Sequence, residues 1–544
     1  MYFSELMLQF LKLMKRITIY FTAGLFLLGI ATSCKKSTSQ SSSKTGMAYN
    51  NKLNGGFEVN NKIKAGPGPG LIAIEGGTFV MGGSLSQDLG YEFDNVRRRV
   101  TVASFYMDET EVANVDWLEY LYWIKRNYPV DAEYYYNALP DTLVWRQALS
   151  YNEPYVNNYL RHPAFQDYPV VGISWEQANE YCVWRTDRVN EEILRKGGYL
   201  LDYKTLAGGG KGAVAPATTT TKEPFNTDIY LNGQFRGEGI DGKKMKKDLN
   251  PNSAVSGAAT GKAGPVRPIR LEDGILKQPY RLPTEAEFEY AALSLAGNTE
   301  YENIADGRIY PWNGLGVRSP KKRTQGMIYA NFKRGNGDNM GTGGYLNDKA
   351  DITAPVRYYI PNDFGLYNMA GNVSEWTADV YRKLSFEDFA DFNPYRGNEF
   401  VNKRLTDKEK GLYAKDKYGR PIKDPAPSPK KQKWSELQGN TAVVDSSALA
   451  GKPYKPDFRG FKDSVNSSLY GTTTLVNDRS RVYKGGSWND RAYWLNPATR
   501  RFMQQDESSA EIGFRSAMTL VGSPEIISQG KPQFSKYKSK AKSK

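Results

Sequence analysis

A glycine pair near the C-terminal end constrains the fold of this chain more than any other feature of the sequence. Gly485 and Gly486 follow the run Arg-Val-Tyr-Lys at 481–484 and precede Ser-Trp-Asn-Asp at 487–490. Glycine adopts backbone angles that other residues resist, so the pair predicts a tight turn at the end of a strand. The later run Ile-Gly-Phe-Arg at 512–515 predicts a closing strand.

Two segments carry the signature of a helix N-terminus. Ser174 is followed three residues later by Gln177, and Thr284 is followed by Glu287. Such pairs form capping boxes, in which each side chain binds a free backbone amide of the first turn. We therefore interpret the glutamates of the run Arg-Leu-Pro-Thr-Glu-Ala-Glu at 281–287 as residues that stabilise a helix start and not as catalytic acids.

A further helix is predicted after Asn114. Apolar side chains recur there at helical spacing, and the pattern places four of them on the buried face: Val115, Leu118, Leu121 and Tyr122. Strands are predicted before this helix, at 74–82 and 100–107.

The scarcity of histidine and cysteine excludes several classes of enzyme. His162 is the one histidine among 544 residues, and no nucleophile elbow accompanies it, so we expect it to be structural. Zinc and non-haem iron sites need several histidines or cysteines. The two cysteines are Cys34 and Cys182, and Cys182 falls on the apolar face of a predicted helix, where a lone thiol is inert. No catalytic residue is assigned.

The N-terminal end predicts an exported lipoprotein. Residues 1–33 read as a lipoprotein signal peptide, with an apolar run at 17–31 that is too short to span a bilayer. The run ends in Ala-Thr-Ser before Cys34, which resembles a bacterial lipobox. Cleavage there would leave Cys34 as the lipidation site and would anchor the chain to a membrane. Residues 34–70 are rich in serine, glycine and proline, which predicts a flexible tether.

The charge of the chain is strongly positive, and its C-terminal end is rich in lysine. The net charge is +14, and lysine alternates with serine and alanine through 531–544, so residues 521–544 predict a basic, disordered tail. A basic run can bind nucleic acid, but behind an export signal we expect no nucleic-acid partner. The mean hydropathy of −0.60 excludes a multispanning membrane protein.

Taken in order, the motifs resemble the formylglycine-generating enzyme (sulfatase-modifying factor) family. The resemblance rests on the opening segment, the run at 281–287, the run Gly-Asn-Val-Ser-Glu-Trp at 371–376, and the glycine turn with its closing Ile-Gly-Phe-Arg. It implies an α+β fold, formylglycine-generating enzyme-like and related to C-type lectins, that is rich in loops. The domain would span 71–520, with long insertions at 205–275 and 382–480.

The resemblance also implies where the chemistry of active members would lie. Those members carry two cysteines after the Gly-Gly-Ser turn, and the cysteines perform an oxidation with copper. By register from Ser487 the two positions are Asp490 and Leu495, and neither is a thiol. We therefore expect a chain without copper and without enzymatic activity.

Calcium is the cofactor that the resemblance implies. Calcium prefers hard oxygen ligands, which carboxylate, amide and carbonyl groups supply. The family's first site corresponds to the side chains of Asn368 and Glu375 and the backbone carbonyls of Gly371 and Val373. A second site would draw on Asn331 and Asp348.

Three further segments, at 105–111, 140–145 and 151–155, are similar to the gliding-motility lipoproteins of Bacteroidetes. This similarity implies a non-catalytic scaffold of the gliding-motility and type IX secretion machinery. The scaffold would be anchored by lipid in the outer membrane and would face the periplasm. Its partners would be ring proteins of the GldK and GldN type. Two alternatives remain: a peptide- or glycan-binding module, favoured by aromatics such as Trp312 and Trp488, and an enzyme that acts on secreted peptides.

Overall fold

The structure is a computed structural model, and the residues it describes are 41–49, 57, 59, 66–83, 95–147, 151–201, 223–235, 237, 269–294, 308–335, 350–382, 392, 394–426 and 476–522. Among them, no helix has both the length and the apolarity that a membrane span requires. The signal peptide, Cys34, most of the tether and the end of the basic tail lie outside the described residues.

The chain divides into two compact units. The first comprises 1–62 and 249–267, and within its described residues Ser41 and Ala48 form an antiparallel bridge. The second comprises 63–248 and 268–544 and contains all of the family motifs.

Fourteen short strands are found in the described part of the second unit. They are β1 (Leu71–Ile74), β2 (Gly77–Met81), β3 (Arg98–Val102), β4 (Phe105–Asp108), β5 (Tyr280–Arg281), β6 (Ser374–Val380), β7 (Val401–Lys403), β8 (Leu405–Asp407), β9 (Leu412–Tyr413), β10 (Lys423–Pro425), β11 (Ser480–Lys484), β12 (Arg501–Gln504), β13 (Ile512–Gly513) and β14 (Ala517–Thr519). Two four-stranded sheets have the orders β1-β4-β14-β5 and β12-β11-β6-β13, and two-stranded sheets pair β2 with β3, β7 with β10 and β8 with β9.

Helices cover the sheets and alternate irregularly with them. The α-helices are α1 (Asn114–Asn127), α2 (Ala132–Asn137), α3 (Glu153–Asn158), α4 (Trp175–Gly197), α5 (Thr227–Leu231) and α6 (Glu285–Leu293). Short 3-10 helices lie at Thr142–Trp145, Pro163–Phe165, Leu271–Asp273 and Ala492–Leu495. His162 caps the second of these, because its Nδ1 accepts the backbone N–H of Ala164 at 3.1 Å. The mixture of helices and strands confirms the predicted α+β class.

The two predicted capping boxes are confirmed. Ser174 Oγ accepts the backbone N–H of Gln177 at 3.2 Å, and the Gln177 side chain accepts the N–H of Ser174 at 2.9 Å. At the start of α6, Thr284 and Glu287 make the same exchange at 3.2 and 2.8 Å. Glu287 is therefore a capping residue, as the spacing predicts.

The predicted buried face of α1 is wrong for two of its four members, whereas Leu121 is buried and Leu118 is half-buried against the core. Val115 and Tyr122 are exposed, while the buried side chains of this helix are Asn114, Trp117, Tyr120, Leu121 and Ile124. The reason is long-range packing, since Trp117 stacks on Tyr181 of α4 at 5.3 Å between ring centroids and meets Phe514 edge-on. This aromatic cluster joins two helices to the segment that follows β13.

Parts of both predicted insertions are folded and pack on each other. The side-chain oxygen of Gln234 accepts the backbone N–H of Tyr413 at 2.8 Å, and Lys415 forms an ion pair with Glu223 at 2.5 Å. The ring of Tyr418 packs on Tyr128 and Tyr134 beside α1 and α2, which ties this unit to the body of the domain. The described residues of 205–275 are therefore folded and packed against the rest of the domain.

The end of the predicted tether is also packed. A Cβ on Gly68 would lie 2.0 Å from Oη of Tyr280, and Arg185 binds the carbonyl of Pro69 at 2.9 Å. Residues 66–70 therefore pack against the domain that we predict from residue 71 onward.

Candidate functional site

The glycine turn after β11 has the geometry that the sequence predicts. Gly485 and Gly486 have φ of +97° and +70°, in the left-handed region that favours glycine. A Cβ on Gly486 would lie 2.8 Å from the carbonyl oxygen of Trp494, so this turn excludes a side chain by contact as well as by conformation. The closing strand β13 pairs with β6 in parallel and not with β11.

Asp490 is held in a closed network directly after this turn. Its Oδ2 accepts the backbone N–H of Ser487 at 2.8 Å and the Ser487 hydroxyl at 2.7 Å. Arg501 binds both carboxylate oxygens, at 2.7 and 2.6 Å, and also contacts Ser374 Oγ at 2.9 Å. The Arg501 guanidinium lies 4.6 Å from the ring centroid of Trp494. The carboxylate therefore acts as a structural brace for the loop.

Leu495, the second position to which the family resemblance assigns a cysteine, is a core residue. It is fully buried at the end of the 3-10 helix Ala492–Leu495 and packs with Ile328, Ala330 and Phe332. Cys182 is the free cysteine of the described residues. It is buried beside Ser516, and burial raises the pKa of its thiol to about 12, so it is no thiolate at neutral pH.

Lys484, the last residue of β11, carries a buried charge network that sequence reasoning missed. Its Nζ lies 2.8 Å from Glu289 and 3.2 Å from Glu285, and both glutamates belong to α6. Arg500 binds both oxygens of Glu285, at 2.6 and 3.0 Å. Burial alone would raise the pKa of Glu285, but Arg500 and Lys484 lower it to about 2. Glu285 is thus a buried counter-ion, and its run at 281–287 serves packing.

The first predicted calcium set is assembled around a buried ion pair. Glu375 receives Arg515 through both carboxylate oxygens at 2.6 Å, and both side chains are fully buried. Asn368 donates its amide N–H to Glu111 at 3.0 Å, and Asn372 donates to the same carboxylate at 2.9 Å. Burial raises the pKa of Glu111 to about 7.

Glu111 is the residue of this cluster that the sequence interpretation overlooked. The signal was available, because Glu111 ends an acidic run at 108–111 that directly follows a predicted strand. The two backbone ligands of the predicted set, Gly371 and Val373, are buried in the same loop, and Gly371 has φ of +80°.

The second predicted calcium set lies against the first. A Cβ on Gly371 would be 2.4 Å from the carbonyl oxygen of Asn331, so the two loops are in direct contact. Asn331 is fully buried; its amide N–H donates to Ile352 at 2.8 Å, but its Oδ1 has no protein partner. A buried amide oxygen without a partner fits a cation ligand. Asp348 lies outside the described residues. In the described part of the chain no group of three or more His, Cys, Asp or Glu side chains forms a metal cluster.

The fold and the turn define a class of protein. Residues 56–520 match the profile of the family described as the Sulfatase-modifying factor enzyme 1-like domain. The chain belongs to this family.

Particular relatives are similar over a shorter stretch. The formylglycine-generating enzyme of Thermomonospora curvata is 39% identical over 143 residues, which is 26% of this chain and 40% of the relative. The enzyme of Mus musculus is 36% identical over 126 residues, which is 23% of this chain and 29% of the relative. The aligned segments thus cover less than half of these relatives.

Two other similarities are of interest. The inactive C-alpha-formylglycine-generating enzyme 2 of Bos taurus is 36% identical over 103 residues, which is 19% of this chain and 27% of the relative. The structure of PvdO from Pseudomonas aeruginosa is 14% identical, with a TM-score of 0.39, and the match covers 83% of this chain and 94% of that chain.

Proposed function

We propose that this chain is a non-catalytic lipoprotein scaffold that uses the family frame to hold other proteins at a membrane. The observation that carries the proposal is the state of the two positions beside the glycine turn. Asp490 is saturated by Ser487 and Arg501, and Leu495 is fully buried. Neither side chain can bind copper or donate an electron pair as a thiolate does. An inactive relative within the family supports the same interpretation.

The finer proposal concerns the place of action. The lipobox at Cys34 and the similarity of three segments to gliding-motility lipoproteins such as GldJ support an outer-membrane lipoprotein that faces the periplasm. Its role would be in gliding motility and type IX secretion, with ring proteins of the GldK and GldN type as partners. The folded parts of the insertions at 223–235 and 394–426 supply surface beyond the family frame for such contacts.

Three experiments test this proposal. Metabolic labelling with a fatty acid should mark the wild-type chain and the Cys182→Ala variant but not Cys34→Ala; labelling of the last variant would refute the anchor. Crosslinking in intact cells, followed by mass spectrometry, should recover outer-membrane ring proteins. Degradation of the chain by proteinase added outside intact cells would contradict the periplasmic orientation.

We also propose structural calcium in the paired loops. Asn331 offers an unpartnered oxygen, and Asn368, Asp348 and the carbonyls of Gly371 and Val373 are the further candidates. Both oxygens of Glu375 accept from Arg515, so Glu375 would bind the ion only on release of that arginine. When bound, the ion would fix the two loops against each other. A chelator should lower the thermal unfolding midpoint, and added calcium should restore it. An unchanged midpoint would contradict the proposal.

The glycan-binding alternative loses one of its supports. Trp488 is buried, its Nε1–H donates to the carbonyl of Ala510 at 3.0 Å, and its ring stacks on Trp145, so it offers no open face to a sugar. Trp312 is half-buried and stacks on Tyr310. A glycan array with the intact chain separates the scaffold from the glycan-binding module, because a scaffold is expected to bind no glycan.

A further inference from the structure

A cavity of about 480 Å³ opens beside the N-terminal end of α4. Its walls are the start of α4, the segment 137–141 and the loop at 506–508, and Ser487, Asp490 and Leu495 are not among its lining residues. This volume lies in the range of pockets that bind small molecules and short peptide segments.

The charge of the cavity is opposite to that of the chain. Four carboxylates line it, namely Asp141, Glu176, Glu180 and Asp506, and none of the described residues that line it is basic. The chain as a whole carries +14. Tyr120 and Tyr134 add aromatic rings to the same walls.

The helix start in this wall does not offer an anion site. A free helix N-terminus attracts anions through unpaired backbone amides. Here the amides of Ser174 and Gln177 are bound within the capping box, and the amide of Glu176 donates to the carbonyl of Gln505 at 3.3 Å. The remaining polar groups are mostly acceptors, which favour a cation.

Two arginines of the chain already bind carboxylates that line the cavity. Arg420, from the folded insertion, places Nη1 at 2.6 Å from Glu180, with its guanidinium carbon 5.9 Å from the ring centroid of Tyr134. At the opposite side, Arg479 lies 3.2 Å from Asp506 and 3.9 Å from Glu176. These carboxylates are half-exposed, so the ion pairs are weak and a ligand can replace or extend them.

We propose that this cavity is a docking site for a lysine- or arginine-bearing peptide segment of a partner protein. One basic side chain binds Glu176 and Asp506, where it displaces or joins the Arg479 guanidinium that now lies between them. The surrounding carboxylates steer the segment and reject acidic peptides. Peptide binding at this cavity does not require the lipid anchor. It can therefore be measured with the purified chain even if the proposed scaffold role is wrong.

The experiment measures binding of a short, fluorescently labelled peptide of alternating lysine and serine to the purified mature chain. We expect saturable binding that weakens with salt, and no binding of the matching glutamate-serine peptide. The double variant Glu176→Gln/Asp506→Asn should lower the affinity about tenfold. Ser508→Lys, which places a cation at the cavity wall, should do the same. The control Glu192→Gln/Glu409→Gln makes an equal charge change on exposed residues elsewhere and should leave the affinity unchanged.

Three results would overturn the proposal. An equal loss of affinity in the control variant would mean that the peptide binds through the net charge of the chain and not in the cavity. Full affinity in both cavity variants, with unchanged unfolding midpoints, would place the peptide elsewhere. Binding that appears only after truncation at 522 would show that the chain's own basic tail occupies the site.

Discussion

Replacement of Lys484 by methionine tests whether the motif at 281–287 serves packing rather than chemistry. The Lys484 side chain is fully buried, and its ammonium group lies between Glu285 and Glu289, whose side chains are 5% and 1% exposed. With Arg500, the network has two negative and two positive charges. Lys484→Met removes one positive charge and leaves a carboxylate uncompensated in the core. Such a change costs about 3–5 kcal/mol in the free energy of unfolding.

A second substitution, Glu289→Gln, restores the balance of charges in this buried network. In Lys484→Met/Glu289→Gln the remaining pair is Glu285 and Arg500, and the glutamine oxygen can still accept the backbone N–H of Gly82, which binds Glu289 at 2.6 Å. We expect this double variant to regain about 2 kcal/mol or more over the single variant, because breaking a pair costs more than removing it.

Urea unfolding followed by tryptophan fluorescence measures both differences. For a domain of roughly 450 residues, the loss of 4 kcal/mol corresponds to about 4 °C in the unfolding midpoint. The matched control is Lys196→Met, whose side chain is 77% exposed in an i,i+4 pair and which should cost less than about 0.5 kcal/mol. A cost below about 1 kcal/mol for Lys484→Met, or no recovery in the double variant, would refute the reasoning.

Three other predictions concern the turn, the pH dependence and the insertion. In urea titrations, Gly486→Ala should lower the free energy of unfolding by about 1–3 kcal/mol more than Gly411→Ala. Both glycines have positive φ, but only at Gly486 would a Cβ contact backbone atoms. Equal losses would show that this contact has no effect on stability. Burial raises the pKa of Asp187 to about 6, so the unfolded chain loses this proton at lower pH than the folded chain, and stability should fall by about 2 kcal/mol as pH rises from about 4 to 6. Asp187→Asn should abolish that component in pH-dependent unfolding, and parallel profiles would refute it. Tyr418→Ala should speed limited proteolysis within 394–426, whereas the exposed Tyr151→Ala should not; equal rates would mean that the ring does not fasten the insertion.

Local features of this fold could be predicted from the sequence because their causes lie within a few residues. The capping boxes at Ser174 and Thr284 depend on a side chain three positions away, and the turn at Gly485 depends on backbone conformation. The face of α1 could not be predicted in this way. Two apolar stripes are available on that helix, and Tyr181 and Phe514, distant in sequence, select the stripe that carries Trp117.

The candidate site was predictable in its positions but not in its contacts. Register from the turn identifies Asp490, yet only the fold shows that Arg501 occupies its carboxylate. The same holds for Glu375, whose partner Arg515 is 140 residues away. The packing of the two insertions on each other had no sequence signal, because the segments differ in composition and share no periodic pattern.

We propose that this chain performs no oxidation at its glycine turn. The most direct measurement incubates the purified chain with copper, oxygen and a cysteine-containing sulfatase peptide, and weighs the peptide by mass spectrometry. An active formylglycine-generating enzyme, such as that of Thermomonospora curvata, serves as the positive control. The account predicts an unchanged cysteine in the presence of this chain, and formation of formylglycine above the copper-only background would contradict it.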